Sequence, residues 1–490
     1  MRRGAGLSGF ISARRVRALP VIGSLCLIQP LAGCILGSEK PDPALEIPNK
    51  YQYGPRRPDA ALPALDWWRE FRSAELTTLM EAAQTDNLDI AAAVARIIQA
   101  DAQAKIAGAA LLPVVDANGS VTRSRAPQNS TGGTSLRGGA ESTIYNANLS
   151  ASYEIDFWGK NRAAQLASEQ TSVATRFDRD VVALTAMATV ANTYFLAVGT
   201  QERLRIAHDN VAAASRVLDL VRQRQQVGTA SQLDVAQQQS LVATQRATIP
   251  PLEITLRQSL AQLAVLVGRA PESITVAGGG LRAIRIPPVT PGLPSDVLRQ
   301  RPDVREAEAQ LSSANYSVES AKAAFFPSIQ LTGTRGFESA ALSTLFGPGA
   351  WYYNMAASVT QPIFDGFLLQ GQLELARGRQ VELLQDYRKA VLSAFSDVEQ
   401  ALIAVRQQAE RERLQTEVVR SARQAFDLSQ QQLREGTIDL ITVLTTQQTL
   451  FQAEDTLAQV RIARLQAVVG LFQALGGGWP PKAANQPVSQ

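Results

Sequence analysis

Between Lys160 and Val227 the chain contains no proline and a single glycine, and from Phe367 to Glu435 it again contains no proline. In the first run apolar residues recur at Leu184, Met187, Ala191, Tyr194 and Val198. These alternating steps of three and four follow one face of a helix. At the standard rise each run spans about 100 Å if unbroken. Ordinary globular helices stop by about 20 residues, so length alone restricts the chain to a coiled coil or a helical barrel. Each run ends on a Gly-Thr pair, Gly228-Thr229 and Gly436-Thr437, which suits a sharp reversal into a return helix. The first return, 231–267, carries Pro250-Pro251 and is expected to kink or break there. The two turns lie 208 residues apart, which is an internal duplication and not a short-period solenoid.

A second period runs beside the helical one. Tyr145, Ala147, Leu149, Ala151, Tyr153, Ile155 and Phe157 alternate with Asn146, Asn148, Ser150, Ser152, Glu154 and Asp156. A period of two puts the two sets on opposite faces of a strand. About ten residues of tilted strand cross a bilayer. A half-buried strand of a soluble sheet has the same pattern, but three further alternating stretches argue against it. Val115, Ala117, Gly119 and Val121 follow Pro113; Ile329 and Leu331 follow Pro327; Trp351, Tyr353, Met355, Ala357 and Val359 form the fourth. The glycine-rich, polar stretch 124–141 and its counterpart 336–350 read as loops.

The plan is therefore duplicated. A first repeat, 65–269, starts with helix to about 112 jointed at Asp86-Asn87. It continues with strands about 113–123 and 145–157 and a helical hairpin 160–267. A linker, 270–294, leads to a second repeat, 295–475, with strands about 327–335 and 351–363 and a hairpin 367–475. Residues 476–490 form a tail. Four strands cannot close a barrel, and open edges in hydrocarbon leave N–H and C=O groups unsatisfied. Closure must be oligomeric, and three copies of four strands give twelve, within the even-numbered range of membrane barrels. The expected class is mainly helical with a membrane β part. Long antiparallel helices form a trimeric tube continuous with that barrel, lipid outside and polar residues lining a water-filled lumen.

The first 33 residues carry five arginines and no acid, and without them the formal charge falls from +4 to −1. A basic surface for nucleic acid is thus not implied. The arginines precede an apolar run from Ala18 to about Leu31, too short to span, which reads as a secretory signal 1–33. It ends Leu31-Ala32-Gly33-Cys34, a lipoprotein-type cleavage box; Cys34 would be the sole cysteine of the mature chain, so no internal disulfide forms. Ile35, rather than Asp, after the cysteine favours the outer membrane. Several acyl chains anchor durably where one is marginal. Residues 34–64 are polar and proline-rich and read as an extended lipidated tether without a core of its own. No phosphate loop, metal cluster or nucleophile motif appears, so neither enzyme activity nor a cofactor is expected. His208 is the sole histidine, and Arg301-Pro302-Asp303 reads as a helix start.

These motifs, with Tyr153-Glu154-Ile155-Asp156-Phe157-Trp158-Gly159-Lys160, Arg301-Pro302-Asp303-Val304-Arg305-Glu306-Ala307-Glu308 and the Gln361-Pro362-Ile363-Phe364 run before Gly366, carry a resemblance. The chain resembles the outer-membrane efflux proteins of the TolC superfamily, in the lipoprotein branch typified by OprM and NodT. The resemblance covers essentially the whole mature chain. It implies a TolC-like homotrimeric exit duct, a β-barrel in the outer membrane joined to an α-barrel in the periplasm. Such a duct docks onto a periplasmic adaptor and an inner-membrane pump of the resistance-nodulation-division (RND) class, and passes drugs, dyes, metals or other small toxic compounds. Cys34 would carry an N-acyl and an S-diacylglycerol lipid. At the periplasmic end the resemblance places a gate: Asp234 falls at the tip-aspartate position, and Thr442 and Thr445 fall where ring aspartates often lie. Ile438 replaces a linking arginine, which leaves Asp439 as the nearby acid and implies a threonine-lined or apolar constriction. Helix N-terminal charge is the competing reading of Asp234 and Asp439. Gly228, Thr229, Gly436 and Thr437 are the turns an adaptor would contact. A type I protein-secretion duct and a structural coiled-coil lipoprotein are the competing functions; the latter leaves four alternating strands unexplained.

Overall fold

The two proline-free runs fold as the two longest helices of the computed structural model, which describes residues 43–45, 48, 50–53, 66–125, 141–277, 280–288 and 292–477. Chain order is a short 3-10 helix (Trp67–Phe71), α1 (Ala74–Asp86), α2 (Leu88–Ala109), β1 (Val114–Arg125) and β2 (Glu141–Ile155). Then come α3 (Lys160–Gln226), α4 (Gln232–Ala247), α5 (Ile249–Leu266), α6 (Pro294–Gln300) and α7 (Pro302–Ala323). β3 (Ser328–Ser339), β4 (Trp351–Thr360), α8 (Leu368–Glu435) and α9 (Leu440–Ala474) complete it. Helices α3 and α8 have 67 and 68 residues, about 100 Å each at the standard rise. The first return helix breaks at Thr248, just ahead of Pro250-Pro251, where proline suits a new first turn better than a helix interior.

The four strands form one antiparallel sheet in the order β1-β2-β3-β4. Several edges differ from the sequence expectation. β1 and β3 run on to Arg125 and Ser339, and β2 begins at Glu141, because cross-strand pairing continues through the polar stretches expected to be loop. β2 ends at Ile155 and β4 at Thr360, short of 157 and 363, since the chain must leave the sheet to enter α3 and α8. The helix expected from about 65 is a 3-10 turn followed by α1, and the second repeat opens on two helices, α6 and α7, that part at Arg301, before Pro302.

Packing divides along the helices. At the Gly-Thr end one core joins both hairpins through Val217, Val221, Val235, Phe426, Leu433, Val443 and Phe451. Midway, Trp67, Phe71, Phe195 and Phe472 fill a larger one, with Trp67 stacked on Phe472 at 5.0 Å. The linker 270–294 is not free: Ile274, Val276 and Leu281 join that core, and Gln201 donates to the Val276 carbonyl. Part of the expected tether is docked as well. Tyr51 is buried with Val297, Val391 and Leu471, and Arg388 donates to the Pro43 carbonyl at 2.7 Å. The joint at Asp86-Asn87 is tightly made: Asn87, 2% exposed, caps α2 with its side-chain oxygen and donates its amide to the Leu266 carbonyl at 2.8 Å.

Candidate export conduit

The register sorts the sheet into two faces. Cross-strand partners Val115↔Ala151, Ala117↔Leu149, Tyr153↔Leu331, Gly333↔Met355 and Phe337↔Trp351 place the apolar set together. The other face collects Asp116, Asn118, Ser120, Asn146, Asn148, Ser150, Thr332, Thr334, Glu338, Tyr352 and Asn354. It is tied by side-chain hydrogen bonds. Asn118 donates to Ser150 Oγ at 3.1 Å, Asn148 to Asn146 Oδ1 at 2.6 Å, and Asn146 to the Tyr352 hydroxyl at 3.0 Å. Gly336 lets the strands close here, since a Cβ on it would meet Asn148 Cβ at 2.4 Å. One face therefore suits hydrocarbon and the other suits water.

The segment Glu154–Lys160 makes the corner from sheet to helix. The Asp156 carboxylate accepts the N–H groups of Asn161 and Arg162 at 3.0 and 2.8 Å, satisfying the open first turn of α3. Gly159, at φ +77°, makes the turn; Lys160 reaches back to Glu154 at 2.6 Å. Trp158 stacks on Phe326 and donates to the Pro327 carbonyl at 2.9 Å, fixing the two repeats to each other below the sheet. In the second repeat Asp365 plays the same part for Leu369 at 2.9 Å.

At the far end the two Gly-Thr turns are built alike. Gly228 and Gly436 take φ of +78° and +77°. Thr229 and Thr437 each donate backbone N–H and hydroxyl to one carbonyl, Arg224 and Gln432 respectively, which closes the helix C-terminus. The return helices then start on matching caps with exchanged chemistry. In the first turn Ser231 Oγ accepts the Asp234 N–H at 3.1 Å, and the Asp234 carboxylate accepts the Ser231 N–H at 2.7 Å. In the second, Asp439 is itself the cap, accepting the Thr442 N–H at 3.0 Å and its hydroxyl at 2.6 Å. The Thr442 hydroxyl, then its backbone N–H, hold the Asp439 carboxyl below the usual carboxylate range. Thr445 is exposed and bonds back to the Ile441 carbonyl at 2.9 Å. Asp234, Asp439 and Thr442 are thus joined within their own turns, and among the described residues no hydrogen bond joins one turn's acid to the other's. What does join the tips is Arg224, whose guanidinium donates to the Leu433 carbonyl at 2.5 Å. Deeper in, the fully buried Gln238 and Gln447 face each other between α4 and α9, and Gln238 donates to the Ala214 carbonyl at 2.8 Å. Neither arginine nor glutamine stands out in helices already rich in both. Cys34 lies outside the described residues, as do 1–33 and most of the tail.

The family model for outer membrane efflux proteins matches residues 79–269 and 293–477, one match to each repeat. This chain belongs to the outer membrane efflux protein family. It is 39% identical over 461 residues to the pyoverdine export outer membrane protein OpmQ of Pseudomonas aeruginosa, covering 93% of this chain and 96% of that one. It is 30% identical to the toluene efflux pump outer membrane protein TtgC of Pseudomonas putida, over 94% and 96% of the two chains. The solved outer-membrane channel OprN superposes with a TM-score of 0.84 at 26% identity, over 91% of this chain and all of that one.

As an outer membrane efflux protein of TolC-like fold, the chain is a channel component of a tripartite pump, and its place is the outer membrane. The family is made of channel proteins. The membrane element is the two-faced sheet. Helix α3 contains a stretch apolar enough to cross a bilayer, but its apolar side chains, Met187 to Val198, fill the central core instead. Among the described residues no cluster of His, Cys, Asp or Glu could hold a metal ion.

Proposed function

We propose that three copies of this outer membrane efflux protein close one passive exit duct, lipid-anchored at Cys34. The observation that supports it most is the sheet. Its two faces are sorted by polarity, its outer strands β1 and β4 each keep one unpaired edge, and both repeats run from it straight into 100-Å-scale helices. Three such sheets pair edge to edge into twelve strands with the Asn-rich face inside. A periplasmic adaptor docks at Gly228-Thr229 and Gly436-Thr437, and an RND-class pump drives small compounds through. Pyoverdine is the first cargo to test, beside drugs and solvents. The periplasmic gate lies among Asp234, Asp439, Thr442 and Thr445, with the Arg224–Leu433 tie holding the two tips of a protomer together.

Single-channel conductance of the purified lipidated protein in planar bilayers, with its mass in detergent, tests this. Discrete steps from a trimer support the duct. Monomers without conductance overturn it. Arg224→Ala is expected to raise the open fraction of a closed trimer; an unchanged record removes the tie from the gate.

A further inference from the structure

The apolar face of the sheet carries one residue that does not belong in hydrocarbon. Arg335 pairs Leu149 on one side and Tyr353 on the other, in register with the apolar set. It is exposed, and no hydrogen bond or ion pair partner is found for it among the described residues. Below the level of Val121 and Tyr145 it is the only charge on that face; Arg123, further out, is paired with Glu141. A bare guanidinium facing lipid is costly at the bilayer centre and tolerable near an interface, where its stem lies in hydrocarbon and its head reaches out.

Its depth follows from the topology. All four strands meet their helices at one end, so the opposite end, where 340–350 joins β3 to β4, is the outer one. Arg335 and Tyr353 lie two residues in from Phe337 and Trp351, about 5 Å along the membrane normal for a strand tilted roughly 40°. Trp351 and Tyr353 stack at 6.0 Å in the manner of an interfacial girdle.

Two grooves meet at this arginine. One, about 750 Å³, has Ala117, Gly119 and Ala147 as its floor and is walled by Phe337 and Phe346, the latter brought over the face by the β3–β4 connection. The other, about 530 Å³, runs over Ala151 and Gly333 beside Met355. Leu149, Arg335 and Trp351 line both. By the register the first groove lies on the outer side of Arg335 and the second on its inner, hydrocarbon side, so the cation stands at the outer end of the 530 Å³ apolar trough, the complement of an acylated phospholipid-like anion.

We propose that Arg335 and the inner groove hold a phosphorylated, multiply acylated lipid of the outer leaflet, phosphate on the guanidinium and an acyl chain in the trough. The proposal rests on the trimeric barrel reading, which leaves this face towards lipid. The charge-assisted, bidentate geometry of guanidinium and phosphate supplies the preference for the phosphorylated form.

The test is native mass spectrometry of the full-length trimer titrated with diphosphorylated lipid A, dephosphorylated lipid A and phosphatidylglycerol, with conductance recorded on the same preparation. Diphosphorylated lipid A is expected to bind at least tenfold more tightly than the other two. Arg335→Ala should abolish that margin and Arg335→Lys should restore part of it. Gly333→Leu, at a position where an added Cβ meets nothing within 4 Å, should weaken all acylated ligands by filling the floor. Conducting trimers that bind the three lipids equally, or that keep the preference in Arg335→Ala, overturn this site and leave the duct standing. Conducting trimers that prefer phosphatidylglycerol overturn the outer-leaflet assignment. A protein that neither trimerises nor conducts overturns both.

Discussion

Gly268 and Gly228 both end helices in the left-handed region, at φ +66° and +78°, yet an added methyl group meets different surroundings. At Gly228 it meets nothing within 4 Å; at Gly268 it would lie 2.3 Å from the Asp86 carbonyl oxygen and 3.1 Å from its carbon. Left-handed backbone costs an L-residue about 1–2 kcal/mol, and this applies equally to Gly228→Ala and Gly268→Ala. The loss of chain freedom in the unfolded state is common to both and cancels in the comparison. Only Gly268→Ala adds overpacking, about 1–3 kcal/mol. The obstacle is backbone, and α1 cannot retreat from α5 without breaking the Asn87–Leu266 hydrogen bond. Gly268→Ala should therefore be less stable than Gly228→Ala by the contact alone, about 1–3 kcal/mol. Denaturant unfolding in detergent, followed by helical circular dichroism, reads the difference. If the two variants unfold together, the close seating of α5 on the α1 joint does not bear on stability and the reasoning fails.

Arg301, 11% exposed on its side chain, bonds Asp303 at 2.6 Å, Asp397 at 2.9 Å and the Ala474 carbonyl at 3.2 Å. Arg301→Ala should cost towards the lower end of about 3–5 kcal/mol, because both aspartates keep some solvent; thermal unfolding no different from wild type would refute it. Burial, reinforced by Asp178 and Asp303, pushes the Glu306 carboxyl from 4.5 up to about 7. The folded chain then holds a proton that the unfolded chain releases, so this group weakens the fold as pH rises from about 4.5 to 7. Glu306→Gln should be the more stable protein at pH 8 and lose that advantage below pH about 4.5; parallel stability–pH curves would exclude it. Thr442→Val should let the Asp439 carboxyl rise toward its ordinary range and loosen the start of α9, seen as faster amide exchange in its first turn.

The elements with strong periods were legible before any coordinates. Helices α3 and α8, the Gly-Thr reversals, the break near Pro250 and the apolar face of β2 all follow from local rules acting over many residues. The strand ends were less legible, since Ser142 and Glu338 look like loop until a paired strand gives their backbone groups partners. The docking of the linker and of part of the tether is illegible for the same kind of reason. Pro, Gly and polar residues set their local composition, but Tyr51, Ile274 and Val276 are held by cores made elsewhere in the chain. Arg335 is in phase with Ile329 and Leu331, but its setting between Leu149 and Tyr353, residues 186 positions before and 18 after it, is given only by the register.

The residues proposed for the gate teach something different, because the structure shows them first as helix caps. Across the 208-residue duplication Ser231 corresponds to Asp439 and Asp234 to Thr442, so acid and hydroxyl exchange places within one cap. Both arrangements satisfy the first turn of a return helix, the one by a reciprocal Ser–Asp pair, the other by an aspartate taking two donors from threonine. An acid near a tip is therefore accounted for by capping before any gate is invoked, with one carboxylate oxygen of each aspartate engaged in the cap. A constriction that used Asp234 or Asp439 would work through the carboxylate oxygen each cap leaves over. Arg224 stands outside the caps: its bond to the Leu433 carbonyl joins one hairpin to the other and can part while both caps stay intact. That separates the roles physically, caps holding each tip in shape and the arginine adding a polar tie to the apolar core the two tips share.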